Sequence, residues 1–210
     1  MKTTARISAL LLLLPLIMVL AHHAHAAIRT VTGTVTKVSD GDTIQITTPE
    51  QTKLKVRLYG IDAPETPKIN KHNGQVNQPG QPYSEEASKA LKDKIMGKQV
   101  KLEILDIDKY RRMVCMVWLD DRNINLEMIQ EGHAETFIEY LKPPYRDQFL
   151  EAEREAKSAK IGIWALPDYE RPRDFRKRLK TGWNQLLFAY NNKNQITPVI
   201  GKMFLVDETI

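Results

Sequence analysis

The stretch Lys-Leu-Lys-Val-Arg-Leu-Tyr at residues 53–59 alternates strictly between polar and apolar side chains. Successive side chains of a β-strand point to opposite sides, so this period predicts a strand with one buried face. The face is formed by Leu54, Val56 and Leu58. Two stretches rich in Val, Ile and Thr precede it, at 30–38 and 43–47. The chain is therefore predicted to begin with three antiparallel strands.

A helix and two more strands are predicted next. After residues 67–82, which are rich in Gly, Pro and Asn, apolar side chains at fourfold spacing predict a helix that Ser84 caps and that ends at Gly97. Alternation predicts a strand over 99–105. The run at 112–119 is so apolar that its strand must be buried on both faces.

Two helices complete the predicted core. Asn125 caps a short helix that stops at Gly132, and Pro143 and Pro144 open a longer one that ends before residue 162. Five short strands, interrupted by a helix after the third and followed by helices, predict a β-barrel with helices (α+β), the five-stranded OB-fold. An open α+β sheet is the alternative arrangement of the same elements.

The N-terminus has the composition of a secretory signal peptide. Basic residues precede an apolar run at 7–21, and Ala24-His25-Ala26 offers a small-x-small cleavage site. Pro15 interrupts the run, which is also shorter than the roughly 20 residues that span a bilayer, so a cleaved leader is favoured over a membrane anchor. We expect residues 1–26 to be removed, leaving a secreted or periplasmic monomer without stable membrane association.

The composition restricts the possible chemistry. With 42% hydrophobic and 27% charged residues, the chain is neither a disordered tail nor a polytopic membrane protein. Cys115 is the only cysteine, which excludes an intramolecular disulfide and, in its apolar surroundings, predicts a buried thiol. Only His72 and His133 remain after residue 26, and both are expected to be structural or solvated.

Two acidic motifs follow strand ends. Asp40-Gly-Asp42-Thr, taken alone, predicts a hairpin turn between the first two strands. Asp62-Ala-Pro64-Glu65 follows the third strand, and the proline stiffens it. Asp42 and Asp62 then fall on one side of the predicted barrel. Two carboxylates with backbone carbonyls and water favour a Ca²⁺ site over a zinc site.

Two arginines are predicted near these carboxylates. Arg57 lies on the polar face of the third strand, and Arg112 stands at the start of the most buried strand. Guanidinium forks stabilise the charge that grows on a phosphate, a metal neutralises the anion, and a free carboxylate can take a proton from water. These are the groups that hydrolysis of a phosphodiester requires.

Over residues 28–164 the chain resembles the staphylococcal nuclease (thermonuclease) family. The resemblance rests on the order and spacing of five motifs: Asp-Gly-Asp-Thr at 40–43, Arg-Leu-Tyr-Gly-Ile-Asp-Ala-Pro-Glu at 57–65, Asp-Lys-Tyr-Arg-Arg at 108–112, Asn-Leu-Glu-Met-Ile-Gln-Glu-Gly-His-Ala at 125–134 and Gly-Ile-Trp at 162–164. It implies an OB-fold and a Ca²⁺-dependent nuclease that acts on DNA and RNA and leaves 3′-phosphate ends.

The resemblance also implies residue roles. The implied calcium ligands are Asp42, Asp62 and the carbonyl of Ala63. The implied phosphate-binding arginines are Arg57 and Arg112, and the implied general base is Glu65. The implied nucleotide contacts are Lys109, Tyr110 and Tyr140. Two positions depart from the family pattern, since Ala63 stands where threonine is common and Arg111 where glycine is usual. If position 111 requires φ > 0, the loop must be rearranged.

Two functions of different classes remain open. The first is a nuclease, and the second is a catalytically silent OB module that binds nucleic acid. The complete set of acidic and basic site residues favours the enzyme, because a binding module has no need for a metal site beside a free carboxylate.

The C-terminal part differs in charge. We divide the chain into a signal peptide (1–26), a nuclease-like OB-fold domain (27–170) and a basic segment with a C-terminal extension of unknown role (171–210). Residues 171–180 carry a net charge of +5, whereas 27–170 carry −2. The segment is either a solvated helix face or a contact for phosphates beyond the cleaved bond. In the second case, changing Arg176, Lys177 and Arg178 to Ala should raise KM for long nucleic acids with little effect on kcat.

Overall fold

The computed structural model describes residues 29–193, with side chains up to residue 182; the predicted signal peptide and residues 194–210 lie outside the described part. The strands are, in chain order, β1 (Arg29–Asp40), β2 (Thr43–Thr47), β3 (Lys53–Leu58), β4 (Ile61–Asp62), β5 (Lys68–Ile69), β6 (Val76–Gln78), β7 (Gln99–Ile107), β8 (Met113–Leu119), β9 (Arg122–Asn123) and β10 (Glu135–Thr136). The helices are α1 (Ser84–Ile95), α2 (Ile124–Gln130), α3 (Arg146–Ala159) and α4 (Pro172–Lys193), with a 3-10 turn at Gly162–Ala165.

Five of these strands form a closed barrel. β1 pairs antiparallel with β2 and with β7, β2 pairs with β3, and β7 pairs with β8. A parallel pairing of β3 with β8, from Val56 opposite Met113 to Leu58 opposite Cys115, closes the sheet. The predicted OB barrel is therefore confirmed, and the open-sheet alternative is wrong.

The barrel core follows the apolar periods of the sequence. On β3, Val56 and Leu58 are buried, and Leu54 packs at the edge of the core. On β8, the consecutive side chains 115–117 are all buried, as expected for a strand covered on both faces. Burial raises the pKa of the Cys115 thiol to about 12, so this cysteine is an unreactive core residue.

Asn125 connects strands instead of capping α2. The cap is Asn123, whose side chain accepts a hydrogen bond from the N–H of Leu126 at 3.1 Å. The buried side chain of Asn125 accepts from the N–H of Val117 at 2.9 Å and donates to the carbonyls of Tyr59 and Cys115 at 2.9 and 3.0 Å. The prediction erred by two residues because an asparagine near a helix start can serve either purpose.

The start of α1 also differs from the prediction. Ser84 is the first helical residue and not the cap; Tyr83 precedes it with φ of 68° and makes no side-chain capping bond. The Tyr83 hydroxyl contacts the ring of His133 at 3.2 Å, and burial lowers the pKa of that histidine. His72 is exposed. Both histidines thus match the structural and solvated roles expected of them.

No helix within residues 29–193 is both long and apolar enough to cross a bilayer.

Candidate active site

The strand ends bring the two acidic motifs together. Asp42 lies in the turn between β1 and β2, and Asp62 ends β4; their exposures are 1% and 0%. The N–H of Ala63 donates to Oδ2 of Asp42 at 3.0 Å, so the motifs touch directly. A Cβ at Gly41 would lie 2.7 Å from the Cβ of Ala63, which explains why a glycine separates the acids of the first motif.

Arg57 of β3 bridges the two buried carboxylates. Its Nη1 donates to Asp42 and its Nη2 donates to Oδ1 of Asp62 at 2.7 Å. Burial opposes the charge of the guanidinium, but the carboxylates of Asp42 and Asp62 outweigh it and raise the pKa of Arg57 above its ordinary value. The fork is thus permanently charged and held in one orientation, and it has more donors than these two carboxylates use.

Asp40 extends the acidic group. Its Oδ1 accepts a hydrogen bond from the N–H of Asp42 at 3.2 Å. Burial and the nearby carboxylate of Asp42 raise the pKa of Asp40 to about 8. Both effects favour the protonated form of this carboxyl group.

Arg112 reaches the site from the turn before β8. Its Nε donates to Oδ2 of Asp108 at 2.7 Å, and its Nη1 lies 3.4 Å from Oγ1 of Thr43. The Thr43 hydroxyl in turn donates to Asp42 at 2.9 Å. Arg112 is thus joined to Asp42 through one intervening hydroxyl, whereas Arg57 contacts both buried acids directly.

Arg111 lies in a tight turn before β8. This residue adopts φ of 62°, and its N–H donates to the carbonyl of Asp108 at 2.9 Å. Arg111 therefore adopts the left-handed conformation within a hydrogen-bonded turn.

Replacing Arg111 by glycine is expected to stabilise the protein. Relief of the left-handed strain is worth roughly 1–2 kcal/mol, and the greater freedom of glycine in the unfolded chain removes about half of that gain. We expect a rise of about 0.5–1 kcal/mol in the free energy of unfolding, measured by urea denaturation at constant m-value. Arg111→Ala, which keeps the strain, is the matched control; equal stability of the two variants would contradict this account.

The long stretch after β4 positions Glu65. Its N–H donates to the buried side chain of Gln81 at 3.0 Å, and the N–H of Gln81 donates back to the Glu65 carbonyl at 2.9 Å. Gln81 also donates to the carbonyl of Glu170 at 2.9 Å. Both backbone bonds of Glu65 therefore come from Gln81, which is itself bonded to the segment before α4.

Arg176 of α4 enters the site, which the sequence analysis did not anticipate. Its Nη1 donates to Asp62 at 3.0 Å and to Glu65 at 2.8 Å, and its Nη2 donates to the second oxygen of Asp62 at 2.8 Å. Burial opposes its charge, but the bonds to Asp62 prevail and raise the pKa of Arg176. Lys177 and Arg178 are exposed. The sequence analysis grouped Arg176 with these two residues, and the structure separates it from them by placing it against Asp62 and Glu65.

The predicted nucleotide contacts lie at the surface. Tyr110 is 65% exposed, and the Lys109 ammonium and the Arg112 guanidinium lie 5.2 and 5.5 Å from its ring centroid. Tyr140 is 59% exposed; its carbonyl accepts from the Tyr59 hydroxyl at 2.8 Å, and its ring packs on Phe137. The structure thus joins Lys109 and Tyr110 to Arg112, whereas Tyr140 belongs to a separate group of contacts.

The donor set fits a cation that prefers oxygen and accepts water as a ligand. Within residues 29–193, no three His, Cys, Asp or Glu side chains are arranged as a full metal site. Oδ2 of Asp42 and Oδ2 of Asp62 each accept one hydrogen bond from the protein, so each retains capacity for another partner. Two carboxylates and a carbonyl, completed by water, are the hard oxygen ligands that such a cation takes.

Comparison with known proteins identifies relatives that share much of this chain. Residues 55–166 match the sequence model of the family described as staphylococcal nuclease homologue. An uncharacterized endonuclease of Haemophilus influenzae is 33% identical over 146 residues, covering 70% of this chain and 73% of that protein. A probable endonuclease of Sclerotinia sclerotiorum is 32% identical over 190 residues, covering 75% of this chain and 69% of that protein.

A plant relative matches over a similar part of the chain. A probable staphylococcal-like nuclease of Oryza sativa is 36% identical over 138 residues, covering 66% of this chain and 32% of that protein.

Asp42 lies before the stretch that the family model matches, and Arg176 lies after it.

Proposed function

We propose that this chain, which belongs to the staphylococcal nuclease family and is a phosphodiesterase of that family, hydrolyses both DNA and RNA. We propose further that the reaction uses Ca²⁺ and leaves 3′-phosphate ends. The observation that carries the proposal is the buried network in which Arg57 joins Asp42 to Asp62. Burying two carboxylates costs free energy that their ion pairs with Arg57 need not fully offset, so the network is a poor device for stability alone. A silent binding module would have no use for them, so the enzyme is favoured.

The cation would be held by Asp42, Asp62 and the carbonyl of Ala63. When bound, Ca²⁺ would neutralise part of the negative charge of the phosphodiester. Ala63 lacks a hydroxyl, but a carbonyl ligand does not depend on the side chain.

The two arginines would bind the phosphate. Arg57, fixed between two carboxylates, has N–H groups that these carboxylates do not use, and such preorganised donors would stabilise the charge that develops on the phosphate oxygens. Arg112 would approach from the turn before β8, oriented by Asp108. The bonds from Arg112 lower the pKa of Asp108, which keeps this orienting carboxylate ionised.

Glu65 would act as the general base. It would accept a proton from water as the water oxygen forms a bond to phosphorus and the bond to the 5′-oxygen breaks in line. The phosphate then remains on the 3′-oxygen. Bases flanking the cleaved bond would stack on the exposed rings of Tyr110 and Tyr140, a contact that tolerates any sequence and both kinds of sugar.

Activity is expected to require Ca²⁺ specifically. The assay is digestion of single-stranded DNA, duplex DNA and RNA, each with Ca²⁺ and with EGTA plus Mg²⁺. We expect hydrolysis with Ca²⁺ only, because Mg²⁺ fits the loose oxygen set poorly. Full hydrolysis in EGTA plus Mg²⁺ would contradict the assignment of the cation. Binding of all substrates without cleavage under any condition would instead support the silent module.

Export is the second part of the proposal, and it is supported by the composition of residues 1–26. Fractionation of cells that express the full chain should find the protein in the periplasm or medium, with Ala27 at its N-terminus. A cytoplasmic protein that retains Met1 would contradict it.

A further inference from the structure

Arg176 contacts the implied metal ligand Asp62 and the implied base Glu65 from a helix outside the matched stretch. We propose that Arg176 is a positioning residue of this site: it orients the carboxylate of Glu65 toward the reacting water and competes with the cation for Asp62. The inference rests on the function proposed above, in which Glu65 acts as base.

The segment that carries Arg176 is anchored to the barrel. The buried Glu135 of β10 lies opposite Asp62 of β4 in register. Its carboxylate accepts hydrogen bonds from the Arg171 guanidinium at 2.9 Å and from the Tyr169 hydroxyl at 3.1 Å. These bonds fix the start of α4 to the strand pair that presents Asp62.

Phe175 supplies a second anchor. It immediately precedes Arg176 and is only 3% exposed. The first turn of α4 is thus an integral part of the fold, because the ion pair of Arg171 with Glu135 and the buried ring of Phe175 both hold it. Arg176 is therefore delivered in a defined position, as a positioning residue must be.

Glu65 depends on this arginine. Among the described residues, the ion pair with Arg176 is the only one that Glu65 makes, and the side chain of Glu65 is 17% exposed. Asp62, by contrast, also pairs with Arg57. Removal of Arg176 would leave Asp62 with one cationic partner and Glu65 with none, so the direct effect on the reaction would pass through Glu65.

The same contacts compete with cation binding. Arg176 bonds to both oxygens of Asp62, including the Oδ2 atom that retains capacity for a metal. A positive charge this close repels a divalent cation. Loss of Arg176 should therefore strengthen Ca²⁺ binding while weakening catalysis, a combination that simple loss of structure would not produce.

The test compares Arg176→Ala with Lys177→Ala in the full chain. Lys177 is its exposed neighbour, so the control removes an equal charge from the same helix. For Arg176→Ala we expect kcat to fall about 10- to 100-fold with KM changed less than about threefold, because a positioning contact acts on the transition state. Lys177→Ala should match the parent in kcat, because a contact with phosphates beyond the cleaved bond would act on KM.

A double-mutant cycle separates positioning from a general effect. In the Glu65→Gln background, adding Arg176→Ala should change kcat by less than about threefold, because residues that act as a unit are not additive. An equal fold-loss in both backgrounds, or unchanged or raised kcat for Arg176→Ala alone, would overturn the proposal.

Arg176→Lys keeps the charge without the fork and should restore part of kcat. No restoration by a folded Arg176→Lys would count against orientation by charge.

Thermal unfolding gives a readout that needs no turnover. The rise in Tm on adding Ca²⁺ should be larger for Arg176→Ala than for the parent and Lys177→Ala, because at a given concentration a ligand that binds the folded state more tightly stabilises it more. A smaller rise would overturn the competition for Asp62. If the parent neither cleaves nor responds to Ca²⁺, the proposed function fails by itself; the contact with Asp62 is then judged by Tm in EGTA, which must be lower for Arg176→Ala than for Lys177→Ala.

Discussion

Replacing Arg57 by lysine is expected to lower kcat by about three orders of magnitude while the barrel stays folded. Lysine keeps the positive charge, but it cannot donate to Asp42 and Asp62 in parallel and still present a planar fork to the phosphate. The loss should fall on kcat more than on KM, because the fork acts mainly on charge that grows in the transition state. The measurement is steady-state cleavage of a single-stranded oligonucleotide in saturating Ca²⁺, with circular dichroism to verify the fold.

Arg122→Lys is the matched control. Arg122 forms an ion pair with Glu127 on α2, so the variant makes the same chemical change in a surface ion pair away from the site. It should retain parental activity.

Arg112→Lys should also lose activity by orders of magnitude, since Arg112 donates toward Thr43 beside Asp42. If Arg57→Lys stays within about tenfold of the Arg122→Lys control, Arg57 does not act as a phosphate fork.

The barrel was predictable because its strands carry their burial in their own sequence. The alternation on β3 marked Val56 and Leu58 as core residues, and the unbroken apolar run of β8 required cover on both faces. Closure by the parallel β3–β8 pairing left no such local sign. It was inferred from the order of the elements, since five strands in this sequence have few arrangements without exposed edges.

Helix starts were less predictable. Asn123 and Asn125 lie two residues apart before the same apolar run, and both amides can cap a helix. Which one caps α2 depends on the tertiary neighbours of Asn125, because its hydrogen bonds extend to Tyr59 and Cys115. Local sequence contains no information about those partners.

The candidate site was predictable where its residues lie in short motifs. The structure brings Asp42, Arg57 and Asp62 into direct contact, and their roles as calcium ligands and phosphate arginine remain predictions. Arg176 was missed because its contacts with Asp62 and Glu65 span more than 100 residues. The only signal was the local excess of positive charge after residue 170, and charge alone does not indicate which side chain turns inward.

Replacing Glu65 by glutamine is expected to lower kcat by about two to four orders of magnitude, the usual contribution of a positioned general base. Glutamine has nearly the same shape, and its carbonyl oxygen can still accept a hydrogen bond from Arg176, so the surrounding contacts should survive. It cannot take a proton from water. Cleavage should therefore fail while the variant still binds Ca²⁺ by calorimetry and binds an oligonucleotide by fluorescence anisotropy.

Glu151→Gln makes the same substitution at an exposed position of α3, where the carboxylate pairs with Arg154, and should leave cleavage unchanged. The comparison also separates the two explanations for a loss in Glu65→Gln. If Ca²⁺ affinity falls together with kcat, Glu65 contributes to holding the cation and the proton must go elsewhere. If binding is intact but kcat stays within about tenfold of the control, water is deprotonated by another group, because loss of a general base costs more than that.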